Sequence, residues 1–175
     1  VCTQGWQYDG EWLAGKRSGT GTFMWKNGSV YGGQWKAGEK HGWGIIVWKR
    51  MRQVYAGEWE SGKAHGKGTH YYGLSDFALS VAEKATTACE KTDPLSGLRL
   101  RVNCYSGDWV AGERHGKGTF IYADGTRYTG YWSRNQKDGD GVVEFEDGRV
   151  ISGKFSSDRA PVEVDTKAAP ISVAM

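Results

Sequence analysis

Cysteine and proline are scarce in this chain, at three each in 175 residues. Cys2, Cys89 and Cys104 form an odd set without metal-ligand spacing. That speaks against a disulfide framework or a zinc site, and for an intracellular, reducing compartment. No apolar run approaches the ~18 residues of a membrane span. No secretory signal opens the chain. It starts on Val1 rather than Met, which leaves room for residues ahead of it. A surplus of one charge is missing as well. The formal net charge is +3, with Lys and Arg mixed among Asp and Glu in the same turns, so a nucleic-acid surface is not expected. No nucleophile motif, carboxylate pair or phosphate loop stands out. The Gly-x-Gly copies never continue into a phosphate-binding pattern that opens a helix. The expectation is no catalytic residue, no metal and no cofactor, and hence no enzyme.

What is abundant is glycine, at 27, with nine Trp and nine Tyr. They recur in one phrase, Tyr-x-Gly-x-Trp, which in most copies leads on to His-Gly-x-Gly. The pairs are Tyr8 and Trp12, Tyr31 and Trp35, Tyr55 and Trp59, Tyr105 and Trp109, and Tyr128 and Trp132. Successive Tyr positions lie 23, 24, 50 and 23 residues apart. A fixed period in this range marks a repeat architecture. It points away from a single catalytic pocket and towards an extended surface that holds partners.

Each copy reads as two short strands. Tyr8, Gly10 and Trp12 share one face, and Asp9 and Glu11 the other. The second strand follows the Gly-x-Gly and ends near another ring: Trp25, Trp48, Tyr72, Tyr122 or Phe145. The middle glycine of each first strand leaves room for a ring from a neighbour. Polar, Gly-containing links such as Ala14-Gly15 and Ala111-Gly112 read as hairpin loops, and Asn27-Gly28, Asp124-Gly125 and Asp147-Gly148 as further turns. The expected fold is all-β: an elongated, single-layer antiparallel sheet of tandem hairpins. One face is an aromatic ladder and the other is polar, with stability summed over neighbouring repeats.

The phrase Tyr-x-Gly-x-Trp-x-x-Gly-x-x-His-Gly-x-Gly resembles the MORN repeat (membrane occupation and recognition nexus). Tyr31 to Gly44, Tyr55 to Gly68 and Tyr105 to Gly118 match in full. The first copy has Ser18 in place of His, and the fifth has Asn135 and Asp138 in place of a Gly and the His. A partial sixth copy starts at Ile151 and carries Phe155 where Trp is usual. The resemblance implies this hairpin fold and leaves the function open.

The array is expected over 1–155, with an insertion at 73–104 and an extended tail at 156–175. The third-to-fourth spacing is 27 residues longer than the period. Within it, 75–90 reads as a helix capped by Ser75 or Asp76, with Phe77, Val81 and Ala85 on one stripe. Leu98 to Val102 alternates like a strand, with a bulge expected at Asn103-Cys104. The outward positions of the second strands are mostly polar: Thr20 and Thr22, Lys67 and Thr69, Lys117 and Thr119. Repeat two instead places Trp43, Ile45 and Val47 there, an apolar strip that reads as a contact site. The alternative is that the inserted helix covers it. On the contact reading, changing Trp43 and Ile45 together to Glu leaves the fold intact. Tyr131 is a smaller departure of the same kind. Arg99 and Arg101 in the insertion, and Lys49, Arg50 and Arg52 in a turn, are expected to give at most weak contact with anionic lipid. His41, His65 and His115 share one repeat position and read as turn residues.

Partner-binding residues are therefore sought at Trp43, Ile45, Val47, Phe77, Val81, Arg99, Arg101 and Tyr131. The expected function is a scaffold gripping a helix or extended segment of another protein. Self-association through open sheet edges is a further expectation. Chains built almost wholly of such repeats resemble cytoskeletal components, so a ciliary axoneme or radial spoke is the expected setting. The alternative is a regulatory or membrane-linking module of a larger protein, such as a lipid kinase or lysine methyltransferase.

Overall fold

A computed structural model describes residues 5–88 and 91–161. Among these, eleven strands form one antiparallel sheet in strict chain order. They are β1 (Gln7–Leu13), β2 (Lys16–Met24), β3 (Val30–Lys36), β4 (Glu39–Trp48), β5 (Gln53–Glu60), β6 (Lys63–Tyr71), β7 (Cys104–Val110), β8 (Glu113–Ile121), β9 (Arg127–Ser133), β10 (Gln136–Glu144) and β11 (Val150–Phe155). One helix, α1 (Asp76–Ala88), interrupts the series between β6 and β7. At ~4.8 Å per strand the sheet runs roughly 50 Å across its strands.

The hairpins are tighter than the sequence suggests. Ala14-Gly15, Ala37-Gly38, Ser61-Gly62 and Ala111-Gly112 have positive φ at both positions, as two-residue type I′ turns require. Arg134-Asn135 and Ser157-Asp158 make the same turn without glycine. There the Asn135 and Asp158 side chains accept hydrogen bonds from the Arg114 and Lys137 amides at 2.9 Å. The departure of repeat five from its pattern thus keeps the turn.

In the five hairpins β1–β2, β3–β4, β5–β6, β7–β8 and β9–β10 the register shifts beside the middle glycine, which marks a bulge. A bulge frees a backbone N–H that needs a partner. In four repeats the residue before Trp supplies it. Glu11, Gln34, Glu58 and Asp108 accept from the amides of Thr20, Trp43, Lys67 and Lys117 at 2.7–3.2 Å. Tyr131 occupies this position in repeat five and brings neither a carboxylate nor an amide oxygen to it.

The ring face is a continuous ladder. Each Tyr hydroxyl donates to the carbonyl three residues on, at 2.9–3.0 Å. Each ring lies edge-on to its own Trp at 5.0–5.3 Å and to the next Trp at 5.1–5.5 Å. Trp35, Trp59, Trp109 and Trp132 donate Nε1–H to the carbonyls of Gly21, Gly44, Gly68 and Gly118 at 2.9–3.1 Å. Those bonds join consecutive repeats. The Tyr55–Trp109 contact carries the ladder straight across the insertion. Phe155 closes it against Tyr128 at 4.9 Å. Trp12, on the first strand, is 57% exposed.

His70 stands in this cluster where Phe23, Ile46 and Phe120 stand in other repeats. It stacks on Tyr72 at 4.1 Å and meets Gln53 Oε1 through Nε2 at 3.1 Å. Burial, with a smaller effect of Arg114, lowers its pKa to about 4. Above pH ~6.5 the ring is neutral folded or unfolded. Between ~6.5 and about 4 only the unfolded chain takes the proton, so stability falls as pH falls through that window and then levels off. His70→Phe is expected to remove this acid-side loss. Denaturation midpoints at pH 7 and pH 5 check it: an unchanged difference between the two would count against the assignment.

The insertion folds onto the opposite face. Ser75 Oγ accepts from the Ala78 amide at 3.3 Å and caps α1, as expected. The buried stripe of the helix is Ala78, Leu79, Ala82 and Thr86. It is not the Phe77, Val81 and Ala85 stripe: Phe77 is 68% exposed, while Val81 and Ala85 flank the contact. Leu98 to Val102 forms no strand; its alternation serves to pack Leu98, Leu100 and Val102 against the same cluster. No bulge forms at Asn103-Cys104, because β7 begins at Cys104 in unbroken register with β6.

The apolar strip is therefore a second core. Ile45 and Val47 are buried with Val30, Val54 and Ala56 beneath α1. Lys49 pairs with Glu83 at 2.9 Å, and Arg52 with Asp76 at 3.0 Å. Two cations of the basic turn thus anchor the helix. Ile45→Glu is expected to destabilise the protein by several kcal/mol, since it buries an unpaired carboxylate. Trp43→Glu alone is expected to cost less, because Trp43 is only half-buried at the edge of that cluster and a carboxylate there stays in reach of water. Urea denaturation of the two single variants distinguishes them.

Candidate protein-interaction face

Helix α1 covers β2 to β5 on the face opposite the ladder. Beyond it, among the described residues, the same face is open and forms a groove of about 680 Å³ over β5 to β9. Its floor is a row of paired glycines: Gly57, Gly68, Gly107, Gly118 and Gly130. Each carries no Cβ because the Tyr ring on the other face packs against it. Because these positions turn their Cβ direction towards the rings, no side chain stands on the outer face there, and a furrow runs between the flanking rows.

Two rows of side chains border the furrow. One is a hydroxyl row, Thr69, Ser106, Thr119 and Thr129, aligned by strand pairing. Thr69 and Ser106 meet at 3.1 Å, as do Thr119 and Thr129. The other row holds Lys67, Asp108, Lys117 and Tyr131. Lys67 pairs with Asp108. Lys117 Nζ lies 5.4 Å from the Tyr131 ring centroid. Lys91 and Asp93 from the insertion, and Trp43 from β4, also line the groove, with Asp93 bonded to Tyr71 at the end of β6.

Of the residues sought from the sequence, Trp43 and Tyr131 line this groove, at opposite ends. Ile45 and Val47 lie under α1, Phe77 points away from the sheet, and Val81 is half-buried at the helix edge. Arg99 and Arg101 are exposed on the loop before β7, with Arg101 held by Glu146 at 3.1 Å. The hydroxyl row was not singled out. Its signal was present, because Thr69 and Thr119 are outward positions that no inserted segment covers. His115 accepts its neighbour's amide at Nδ1, and His65 lies 3.4 Å from Glu60, both at the hairpin edge away from the groove.

The family model of the MORN repeat matches residues 8–30, 31–49, 55–73, 105–127 and 128–148, more than half of the chain. No curated protein matches it. Among solved structures, the chain is similar to the SAS-4 (dCPAP) TCP domain of Drosophila melanogaster, solved in complex with a proline-rich motif of Ana2 (dSTIL). The identity is 9%, over 77% of each chain, with a TM-score of 0.30. That likeness is too slight to carry a binding mode from one protein to the other.

Proposed function

Because this chain belongs to the MORN repeat family, whose repeats indicate a protein-interaction or membrane-associated module, we propose that it is a non-enzymatic scaffold that seats a partner polypeptide in the groove over β5 to β9. The carrying observation is internal. The chain already lays one of its own helices on the first half of this face. Thr22 Oγ1 donates to the Thr86 carbonyl of α1 at 3.3 Å, and Thr69 and Thr119 occupy the matching positions in the open half. The open half repeats that row of hydroxyls, while Ser106 and Thr129 stand where Gly32 admits the α1 backbone, so a partner there sits farther from the sheet. The ladder behind the groove is rigid, so a seated partner is held at a fixed distance along the sheet.

A scaffold of this kind suits a cytoskeletal assembly, such as a ciliary axoneme or radial spoke, where spacing is the task. Support comes from the make-up of the chain, which is repeats with one insertion. Detergent fractionation of the source cell tests the setting. Retention in the insoluble cytoskeleton, with release by high salt, is expected; release by detergent alone would remove the cytoskeletal reading. The groove itself is tested by filling it with Ser106→Trp and Thr119→Trp together. Both sites are at the surface, so the denaturation midpoint should hardly move. Co-purifying partners should be lost, and their undiminished recovery would sink the groove reading.

A further inference from the structure

The charges around the groove are unequal in one respect. Its two carboxylates are already occupied. Asp93 accepts from the Tyr71 hydroxyl at 2.8 Å and from the Leu95 amide at 3.0 Å. Asp108 accepts from the Lys117 amide at 2.9 Å and pairs with Lys67. The cations are not all answered. Among the described residues, neither Lys91 nor Lys117 pairs with a carboxylate, and both are exposed. A groove with spent carboxylates and free ammonium groups is complementary to a negative partner.

Geometry narrows the partner further. Lys67 and Lys117 hold the same repeat position on β6 and β8, two strands apart, or about 9.6 Å. On an α-helix, residues seven apart lie on one face and are separated by about 10.5 Å along the axis. The aromatic ends of the groove, Trp43 on β4 and Tyr131 on β9, are five strands apart, or about 24 Å. That is the length of a helix of about 16 residues.

Resting on the groove as the partner site, we propose that its occupant is an acidic helical segment of another protein. It is about four turns long and continues along the face that α1 begins, with one carboxylate for the free Lys117 and, seven residues away, one that shares the exposed Lys67 ammonium with Asp108. The carboxylates take the row of lysines.

Three fluorescein-labelled 16-residue amphipathic peptides test this by anisotropy against the full chain. They differ only in carrying Glu, Gln or Lys at two positions seven apart. The Glu peptide is expected to bind at least tenfold more tightly than the Gln peptide, and the Lys peptide least. Raising salt from 50 to 300 mM should weaken the Glu peptide several-fold. Lys67→Gln with Lys117→Gln should abolish the Glu preference while the denaturation midpoint shows the sheet intact. Equal binding of Glu and Gln peptides, both lost on Ser106→Trp with Thr119→Trp, overturns the acidic partner and leaves the groove reading standing. Binding that ignores the groove-filling pair overturns both. Failure of all three peptides at millimolar concentration overturns the proposal.

Discussion

Replacing Trp59 with alanine is expected to destabilise the protein by about 3–5 kcal/mol, the range for deleting a large buried ring. The residue is 5% exposed. Its indole lies edge-on to Tyr31 at 5.5 Å and to Tyr55 at 5.1 Å. Nε1 donates to the Gly44 carbonyl at 3.1 Å, and Lys40 Nζ sits 3.9 Å from the ring centroid. Removing the ring would also strip the cover from Lys40, whose pKa burial lowers to about 8. The same change at Trp12 is expected to cost under about 1 kcal/mol, because that residue is 57% exposed and meets the ladder through Tyr8 of its own strand. Trp59→Phe should fall between the two, since it keeps a ring and forfeits one hydrogen bond of about 1 kcal/mol. Chemical denaturation of the three variants measures this order. Equal costs at Trp12 and Trp59 would mean that the rungs are not coupled between repeats.

The second large effect is expected at Gly32. It lies on β3, where the equivalent residues are Asp9, Ala56, Ser106 and Thr129. A Cβ at this position would coincide with the Thr86 carbonyl of α1, which is backbone and cannot swing aside. Gly32→Val should therefore lift the C-terminal half of the helix from the sheet. That would uncover Ile45, Val47 and Leu79, all now 3% exposed or less. Each such side chain contributes about 1.5–3 kcal/mol when fully buried, so a loss of at least about 2 kcal/mol is expected even if the helix settles nearby. The ladder, on the other face, should survive. The readout is limited proteolysis, with cleavage gained within 73–103 and the rest of the array resistant. Gly44→Ala is the matched control. Its Cβ would enter the Tyr31 ring, so it should weaken the ladder and leave the helix seated. If Gly32→Val left the insertion fully protected, the helix would not depend on that contact.

The sequence carried the ladder because the ladder is local. Tyr, Gly and Trp at alternate positions of one strand must share a face, and the period fixed how the strands follow each other. The places of the turns were legible for the same reason, but not their tightness, and Asn135 reads as a departure from the pattern although its side chain holds the turn. The bulge was less so. Glu11, Gln34, Glu58 and Asp108 looked like an ordinary polar face, yet each answers an amide freed by a register shift. Only with that known does Tyr131 become a residue released from a structural duty and free to line the groove.

The insertion shows where local reading ends. Its helix and its cap were evident, but the face it would bury was not, because Phe77 offered a larger apolar stripe than Ala78, Leu79 and Ala82. The sheet settled the matter. A helix lying over Gly32 must bring small side chains and its own backbone to the surface, and the largest ring is left outside. The strip of Ile45 and Val47 looked like a contact site for the same reason: its partner lies some 30 residues further on, in a segment whose direction no periodicity encodes.

The sequence by itself determined the repeat, the hairpin order and the two faces, since each follows from spacings within a few residues and from the sterics of glycine beside large rings. The tertiary structure decided which stretch of the polar face is covered and which is open. That depends on where a non-repeating helix comes to rest across four strands, and a helix chooses its seat by shape, through one glycine and two salt bridges distant in the chain.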